Sequence, residues 1–167
     1  MLVLGVDPGT ETTGYGIVKE DEKGLLHAID YGVIKTKKSD STEKRLQQIF
    51  SKISTIIDLH RPTEGAVEKL FFQKNVTNAL AVGQARGVIL LALVNSGIKI
   101  GEYSPQEVKM SVTGYGAAEK KQIQIMVQKI LNLNTLPEPD DAADALAIAI
   151  CHINSNGYKK RLLGMDL

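Results

Sequence analysis

A chain of 167 residues is of single-domain size, and its one cysteine, Cys151, excludes a disulfide framework and a cysteine-based zinc site. Its 43% hydrophobic and 23% charged residues exclude long disorder, and the longest apolar run, Val88 to Val94, falls far short of the roughly 20 residues of a membrane span. Net charge is only +1, from 20 Lys and Arg against 19 Asp and Glu, so bulk electrostatics do not announce a nucleic-acid binder and local placement must carry any such role.

The chain enters directly into Leu2-Val3-Leu4-Gly5-Val6 with no charged leader, so residue 1 is expected to be the mature start and the cytoplasm the location. Leu2 to Asp7 predicts a buried strand, turned by Pro8-Gly9 into a hairpin partner from Gly14 to Glu20. Leu26 to Thr36 predicts a third antiparallel strand, followed by a polar loop, Lys37 to Ser41. Ser41 or Thr42 can cap a helix with Leu46, Ile49, Phe50, Ile53, Ile56 and Ile57 on one stripe, stopped at His60-Arg61-Pro62. Glu64 to Leu70 is a short strand, and a helix from Asn75 or Thr77 to Asn95 is closed by Ser96-Gly97. Ile98 to Tyr103 is a fifth strand. Pro105 to Lys109 is a short helix, Gly114-Tyr115-Gly116 a break, and Ala118 to about Leu131 another helix. A last helix starts between Pro137 and Asp141 and reaches His152 or beyond, giving the order βββαβαβααα. Residues 1–155 are expected to form one α/β domain, and 156–167, with Tyr158-Lys159-Lys160-Arg161, a flexible basic tail suited to phosphate contact or plain solvation.

Three places break the rules of a buried core. Asp7 ends an apolar strand on the face of Val3 and Gly5; taken alone it is an ordinary turn residue. Glu68 interrupts the apolar run Gly65-Ala66-Val67 and Leu70-Phe71-Phe72. If the two strands are adjacent and parallel, both acids meet at the sheet end where α/β proteins place ligands. Pro139 to Ile150 predicts a helix apolar nearly all round, hence buried, yet it carries Asp140, Asp141 and Asp144. The first two suit the positive end of the helix dipole; Asp144 lies on a stripe with Asp141, Ile148 and His152 and has no such excuse. Like charges about 4 Å apart repel by about 4 kcal/mol per pair at an effective dielectric near 20. A hard divalent cation reverses that sign, and two can clamp an in-line displacement at phosphorus.

Four segments recur together: Gly5-Val6-Asp7-Pro8-Gly9-Thr10 with Thr13-Gly14-Tyr15-Gly16; Val67-Glu68 with Phe71-Phe72; Gly83-Gln84-Ala85-Arg86-Gly87; and Asp141-Ala142-Ala143-Asp144-Ala145-Leu146-Ala147. In these the chain resembles the RuvC family of bacterial Holliday-junction resolvases, from residue 1 to about His152. The resemblance implies a ribonuclease H-like fold, with a five-stranded mixed sheet of three antiparallel and two parallel strands flanked by helices. It also implies a homodimer that nicks four-way DNA junctions in pairs with Mg²⁺, or Mn²⁺ in its place, at two ions per site, alongside the branch-migration proteins RuvA and RuvB. By motif match Asp7, Glu68, Asp141 and Asp144 are the catalytic metal-binding acids, and Asp140 is a cap or outer-shell acid. Lys109 and Lys120 match family lysines near the junction backbone, with solvated helix lysines as the plainer reading. The family pattern favours Phe71 for stacking on an unpaired base, although alternation does not choose between it and Phe72, and Lys74 follows them toward the DNA. His152 has two readings, a satisfied helix histidine or an outer-shell proton carrier. Gly83 and Gly87 suit either packing on the chain's own sheet or a twofold helix contact. Two competing functions remain: a phosphate-binding ATPase of the actin and sugar-kinase type, suggested by Asp7-Pro8-Gly9-Thr10, and a catalytically silent junction-binding module.

Overall fold

The structure, a computed structural model, describes residues 1–70 and 76–162, so Phe71, Phe72 and Lys74 lie outside the described residues. Strand β1 (Leu2–Asp7) pairs antiparallel with β2 (Thr12–Glu20), and β2 with β3 (Leu26–Lys35). Helix α1 (Thr42–His60) carries the chain over one face, so that β4 (Glu64–Glu68) joins β1 in parallel. Helix α2 (Val76–Asn95) makes the next crossover to β5 (Lys99–Tyr103), parallel to β4. The sheet order is β3-β2-β1-β4-β5, and the sheet is five-stranded and mixed, as the family resemblance implies. Helices α3 (Pro105–Thr113), α4 (Lys120–Ile130) and α5 (Asp140–Leu162) complete the chain order.

Period-two alternation divides the core into two halves. Leu4, Val6, Ile17 and Val67 pack with Ile49, Ile53 and Ile57 of α1 and Ile89 and Leu93 of α2. Val3, Val18 and Ala66 belong to the other half, with Val108, Val127, Leu146 and Ile150 of the three later helices. Asp7 shares the parity of Val3, so it falls on the face covered by α5.

Helix α5 is apolar all round because it is the inner layer of that half, with Ala142, Ala143 and every residue from Ala145 to Ile153 buried. It lies on the sheet with little between the two backbones. A Cβ built on Gly5 would overlap the Ala145 carbonyl oxygen, and one on Gly14 the Asp141 carbonyl oxygen. One on Gly16 would crowd the backbone nitrogen and side chain of Leu146. Glycine is needed at these positions for closeness rather than for an unusual φ.

Several element ends differ from the sequence reading. Strand β4 stops at Glu68, two residues short of Leu70. Helix α3 continues past Lys109 to Thr113, because Ser104 and Glu107 form a reciprocal capping box at its start and Val108 and Val112 are both buried. Helix α5 runs beyond His152 as expected, and by reaching Leu162 it takes in the first residues of the segment read as a tail from 156; Asn156 on it donates to Glu64 Oε2 at 2.9 Å.

Gly14→Ala is expected to lower unfolding free energy by about 1–3 kcal/mol, the usual cost of overpacking a close contact. Urea denaturation without metal measures it; a change under about 0.5 kcal/mol, the range of neutral surface substitutions, would contradict this packing.

Candidate active site

The pairing of Val6 with Val67 brings Asp7 and Glu68 next to each other at the carboxyl ends of adjacent parallel strands. Asp7 pairs across the hairpin with Gly14, and it is over Gly14 that the Asp141 backbone lies. Asp144 follows one helical turn later on α5, on the same side of the helix. A core strand, its parallel neighbour and a buried helix therefore deliver four carboxyl groups to one end of the sheet.

Electrostatics show that these groups feel one another. The Asp7 carboxyl is pushed up to about 8, first by burial and then by the charges of Glu68, Asp144 and Asp141, with Lys120 opposing. Glu68 is pushed up to about 7 by burial and by Asp144, against the pull of Lys109 and Lys120. Asp144 is also raised by burial, although the Lys120 ammonium beside it works the other way.

Lys120 Nζ stands 3.3 Å from Asp144 Oδ2 and 3.5 Å from Asp140 Oδ2. Burial alone would lower its pKa, but these carboxylates outweigh it and hold the ammonium charged. Lys109 and Lys120 line a cleft together with Glu68 and Asp144, backed by Val108, Ile123 and Ile148. Asp140 is turned toward α4, where its Oδ1 accepts from Gln124 Nε2 at 2.6 Å.

His152 is not part of this group. It lies eight residues beyond Asp144, about 12 Å along the helix. It is buried, with Nδ1 2.9 Å from the Tyr103 hydroxyl and Nε2 2.7 Å from Glu64 Oε2 at the opposite end of β4. Both ring nitrogens are occupied, which corrects the outer-shell reading: a shared helix stripe does not make a shared site when two turns intervene.

Sequence reading missed Arg86. Its Nε donates to the Glu68 carbonyl at 3.0 Å, and its guanidinium pairs with Glu102, fixing the end of β4. The signal was present, since Arg86 is the one charged residue in Val76–Asn95.

A model of the family described as "Crossover junction endodeoxyribonuclease RuvC" matches residues 3–152. The chain belongs to the RuvC family. A RuvC of Heliobacterium modesticaldum is 52% identical over 155 residues, which cover 93% of this chain and 95% of that one. The solved RuvC of Thermus thermophilus superposes with a TM-score of 0.88 at 34% identity, covering 95% of this chain and 97% of its own. The same protein in complex with a Holliday junction substrate gives 0.87 at 30% identity, with 95% and 96% covered. The fold is thus ribonuclease H-like.

Do the residues of this RuvC-family site suit a divalent cation? Among the described residues no three acidic, His or Cys side chains are already grouped to hold an ion. The donor set nevertheless fits one. It is all carboxylate oxygen, as a hard cation requires, and burial together with mutual repulsion has raised Asp7 and Glu68 far above ordinary acids. Among the described residues, no side-chain or backbone N–H other than the Lys120 ammonium is bonded to the carboxylates of Asp7, Glu68, Asp141 or Asp144.

A raised carboxyl favours folding while protonated, so this contribution is complete below about pH 4 and lost as pH rises through about 8. Metal-free Asp7→Asn is therefore expected to melt several degrees above the wild type at pH 8 and close to it near pH 4. Thermal melts in chelator at both pH values check this; a lower melting temperature for the variant at pH 8 would contradict it.

Proposed function

We propose that this protein is a metal-dependent endonuclease that resolves four-way DNA junctions by paired symmetric nicks, with Asp7, Glu68, Asp141 and Asp144 as its catalytic acids. The observation that carries the reading is the convergence of Asp7 and Glu68 from parallel strands with Asp141 and Asp144 from α5. Such a cluster opposes folding unless a cation offsets it.

The reaction breaks a phosphodiester by in-line attack of water and releases a 3′ oxygen. Asp7, Glu68, Asp141 and Asp144 would hold divalent cations, Mg²⁺ at two per site in this reading with Mn²⁺ as substitute, which when bound would supply Lewis acidity for the attacking water and the leaving oxygen. The chain's own part is to fix geometry and charge. Arg86 anchors the Glu68 backbone, and the glycine contacts fix α5, so the carboxylates stay in place. Lys109 and Lys120, beside Glu68 and Asp144, would take the non-bridging oxygens of the phosphate as charge builds up on them. Phe71, Phe72 and Lys74 follow β4 directly in sequence, so an aromatic ring there would meet a base opened at the junction, with Phe71 the preferred candidate.

A homodimer is the assembly that best serves paired nicks, because two symmetric sites match a nearly symmetric junction. Helix α2 supplies a surface for it. Leu80, Leu91 and Val94 are 64%, 51% and 62% exposed along one side of that helix. A Cβ on Gly87 would meet nothing within 4 Å, and one on Gly83 only Leu70, so packing on the sheet does not account for these glycines. The branch-migration proteins RuvA and RuvB are the partners the family reading implies. The cytoplasm is the matching compartment, in keeping with the free thiol of Cys151. An ATPase of the actin type would leave Asp141 and Asp144 without a part, and a silent binding module would leave the repulsive cluster without one.

Incubation with a synthetic mobile four-way junction or linear duplex, with and without Mg²⁺, tests the activity. Symmetric nicks are expected on the junction alone and only with metal. Asp7→Asn should bind the junction like the wild type and lose nicking by more than about a hundredfold; equal loss of both, or nicking without metal, would sink the assignment. Leu91→Glu is expected to yield a folded monomer in sedimentation, whereas an unchanged dimer would move the interface elsewhere.

A further inference from the structure

The hairpin that carries Asp7 is held from outside by a residue that touches none of the acids. Between β1 and β2 the chain makes the turn Pro8-Gly9-Thr10-Glu11, and three successive carbonyls of it are taken. Gly9 O accepts from Thr13 Oγ1 at 2.6 Å, Thr10 O from Thr36 Oγ1 at 2.5 Å, and Glu11 O from the Thr36 N–H at 3.0 Å. Two of the three ties therefore come from Thr36, which follows β3. Its hydroxyl also accepts from Arg45 Nε at 2.9 Å, near the start of α1.

A threonine hydroxyl has a single proton and a free rotor. With a guanidinium donating to its oxygen, that proton is left to point at Thr10, so the cation sets the direction of the bond on the Asp7 hairpin. Arg45 does this at a cost: its second terminal nitrogen, Nη2, is buried with no hydrogen-bond partner among the described residues. A buried donor without a partner weakens the fold and calls for another reason to be there. Beyond the adjoining β2–β3 ladder, a further tie between these segments, Lys38 to Glu11 at 3.2 Å, is an exposed ion pair and a weak substitute.

We infer that Arg45 is a positioning residue for the active site: through Thr36 it locks the Thr10 turn and thereby the place where Asp7 offers its carboxylate to a divalent cation. The inference rests on the reading of Asp7 as a metal-binding acid. Hydrogen-bond partners of a metal ligand typically change metal affinity ten- to a hundredfold when lost; Thr36 and Arg45 act further out, through the Thr10 turn, so the lower end of that range is the size of effect to look for.

The test uses Thr36→Val, which deletes the hydroxyl at nearly constant shape, Thr36→Ser, which keeps it, and Arg45→Met, which removes the donor and the unpartnered nitrogen together. Calorimetric titration of the DNA-free protein with Mn²⁺ is expected to show about tenfold weaker binding for Thr36→Val and Arg45→Met, and wild-type binding for Thr36→Ser. Turnover on a synthetic four-way junction should fall about ten- to a hundredfold in the same two variants. Their junction affinity, measured with Ca²⁺, should hold. Metal-free Arg45→Met should melt no lower than the wild type. Wild-type Mn²⁺ affinity in both variants would overturn the inference. So would losses that Thr36→Ser shares, or that follow a reduced melting temperature, since either result makes the relay simple support for the fold. A wild type that binds Mn²⁺ yet leaves the junction intact refutes the nuclease reading alone, and the titration still decides the relay; a wild type that binds no Mn²⁺ refutes both.

Discussion

Everything at the acidic end of the sheet depends on α5 lying against the β1–β2 hairpin with almost no side-chain volume between them. Gly5, Gly14 and Gly16 on the sheet face Ala145, Ala149, Leu146 and the Asp141 backbone on the helix. Glycine and alanine leave the helix free to settle until the two backbones touch. That fixes its height over the sheet, and hence the reach of the short aspartate side chains on its first two turns. A single methylene on the sheet would lift Asp141 and Asp144 away from Asp7, and misplacement by about 1 Å is enough to cost a hundredfold in a positioned reaction. Tight packing here sets the chemistry as well as the stability.

The cluster itself works against the fold. Burial and like charge push Asp7 to about 8 and Glu68 to about 7, which means that near neutral pH the site prefers to hold protons. A proton, the Lys120 ammonium and a divalent cation are three ways to satisfy the same excess of negative charge. Lys120 is tethered on α4 and reaches only the Asp144 and Asp140 side of the group. A mobile cation can sit between strand acids and helix acids, where no side chain among the described residues is bonded to both. The large apolar surface that α5 buries offsets the repulsion, as sites of this kind commonly require.

Much of this was legible in sequence because the anomalies were physical ones. A charge ending an apolar strand, another inside an apolar strand, and Asp144 on a helix otherwise fit for burial each violate a packing rule, and parity placed Asp7 on the correct face. The order of elements along the chain followed from periodicity and turns, whereas the parallel adjacency of β1 and β4 stood only as a condition until the structure supplied it. What stayed hidden were contacts between side chains and backbone carbonyls distant in sequence. Arg86 on Glu68 spans 18 residues, and Thr36 on Thr10 spans 26, with no periodicity to announce either. His152 shows the opposite error: the stripe was read correctly, but the rise of about 1.5 Å per residue carried it to the other end of the sheet.

These hidden contacts share a logic that bears on how the acids stay usable. Elsewhere in the chain, carboxylates are held by bonds to their own oxygens: Asp40 by Lys44 and Gln48, Glu64 by His152 and Asn156, Glu107 by the Ser104 backbone. Each of those has its pKa lowered, burial of Glu64 notwithstanding, which marks an oxygen already engaged. At the site the anchoring is moved to the main chain. Arg86 takes the Glu68 carbonyl, Thr13 and Thr36 take the carbonyls after Asp7, and glycine contacts seat the backbone of Asp141. The side-chain oxygens of Asp7 and Glu68 are thereby left to an outside ligand. A carboxylate engaged through its oxygens has fewer lone pairs left for a cation, so anchoring Asp7 and Glu68 through the backbone leaves both of their oxygens free, an arrangement that suits a metal-binding role for these strand ends.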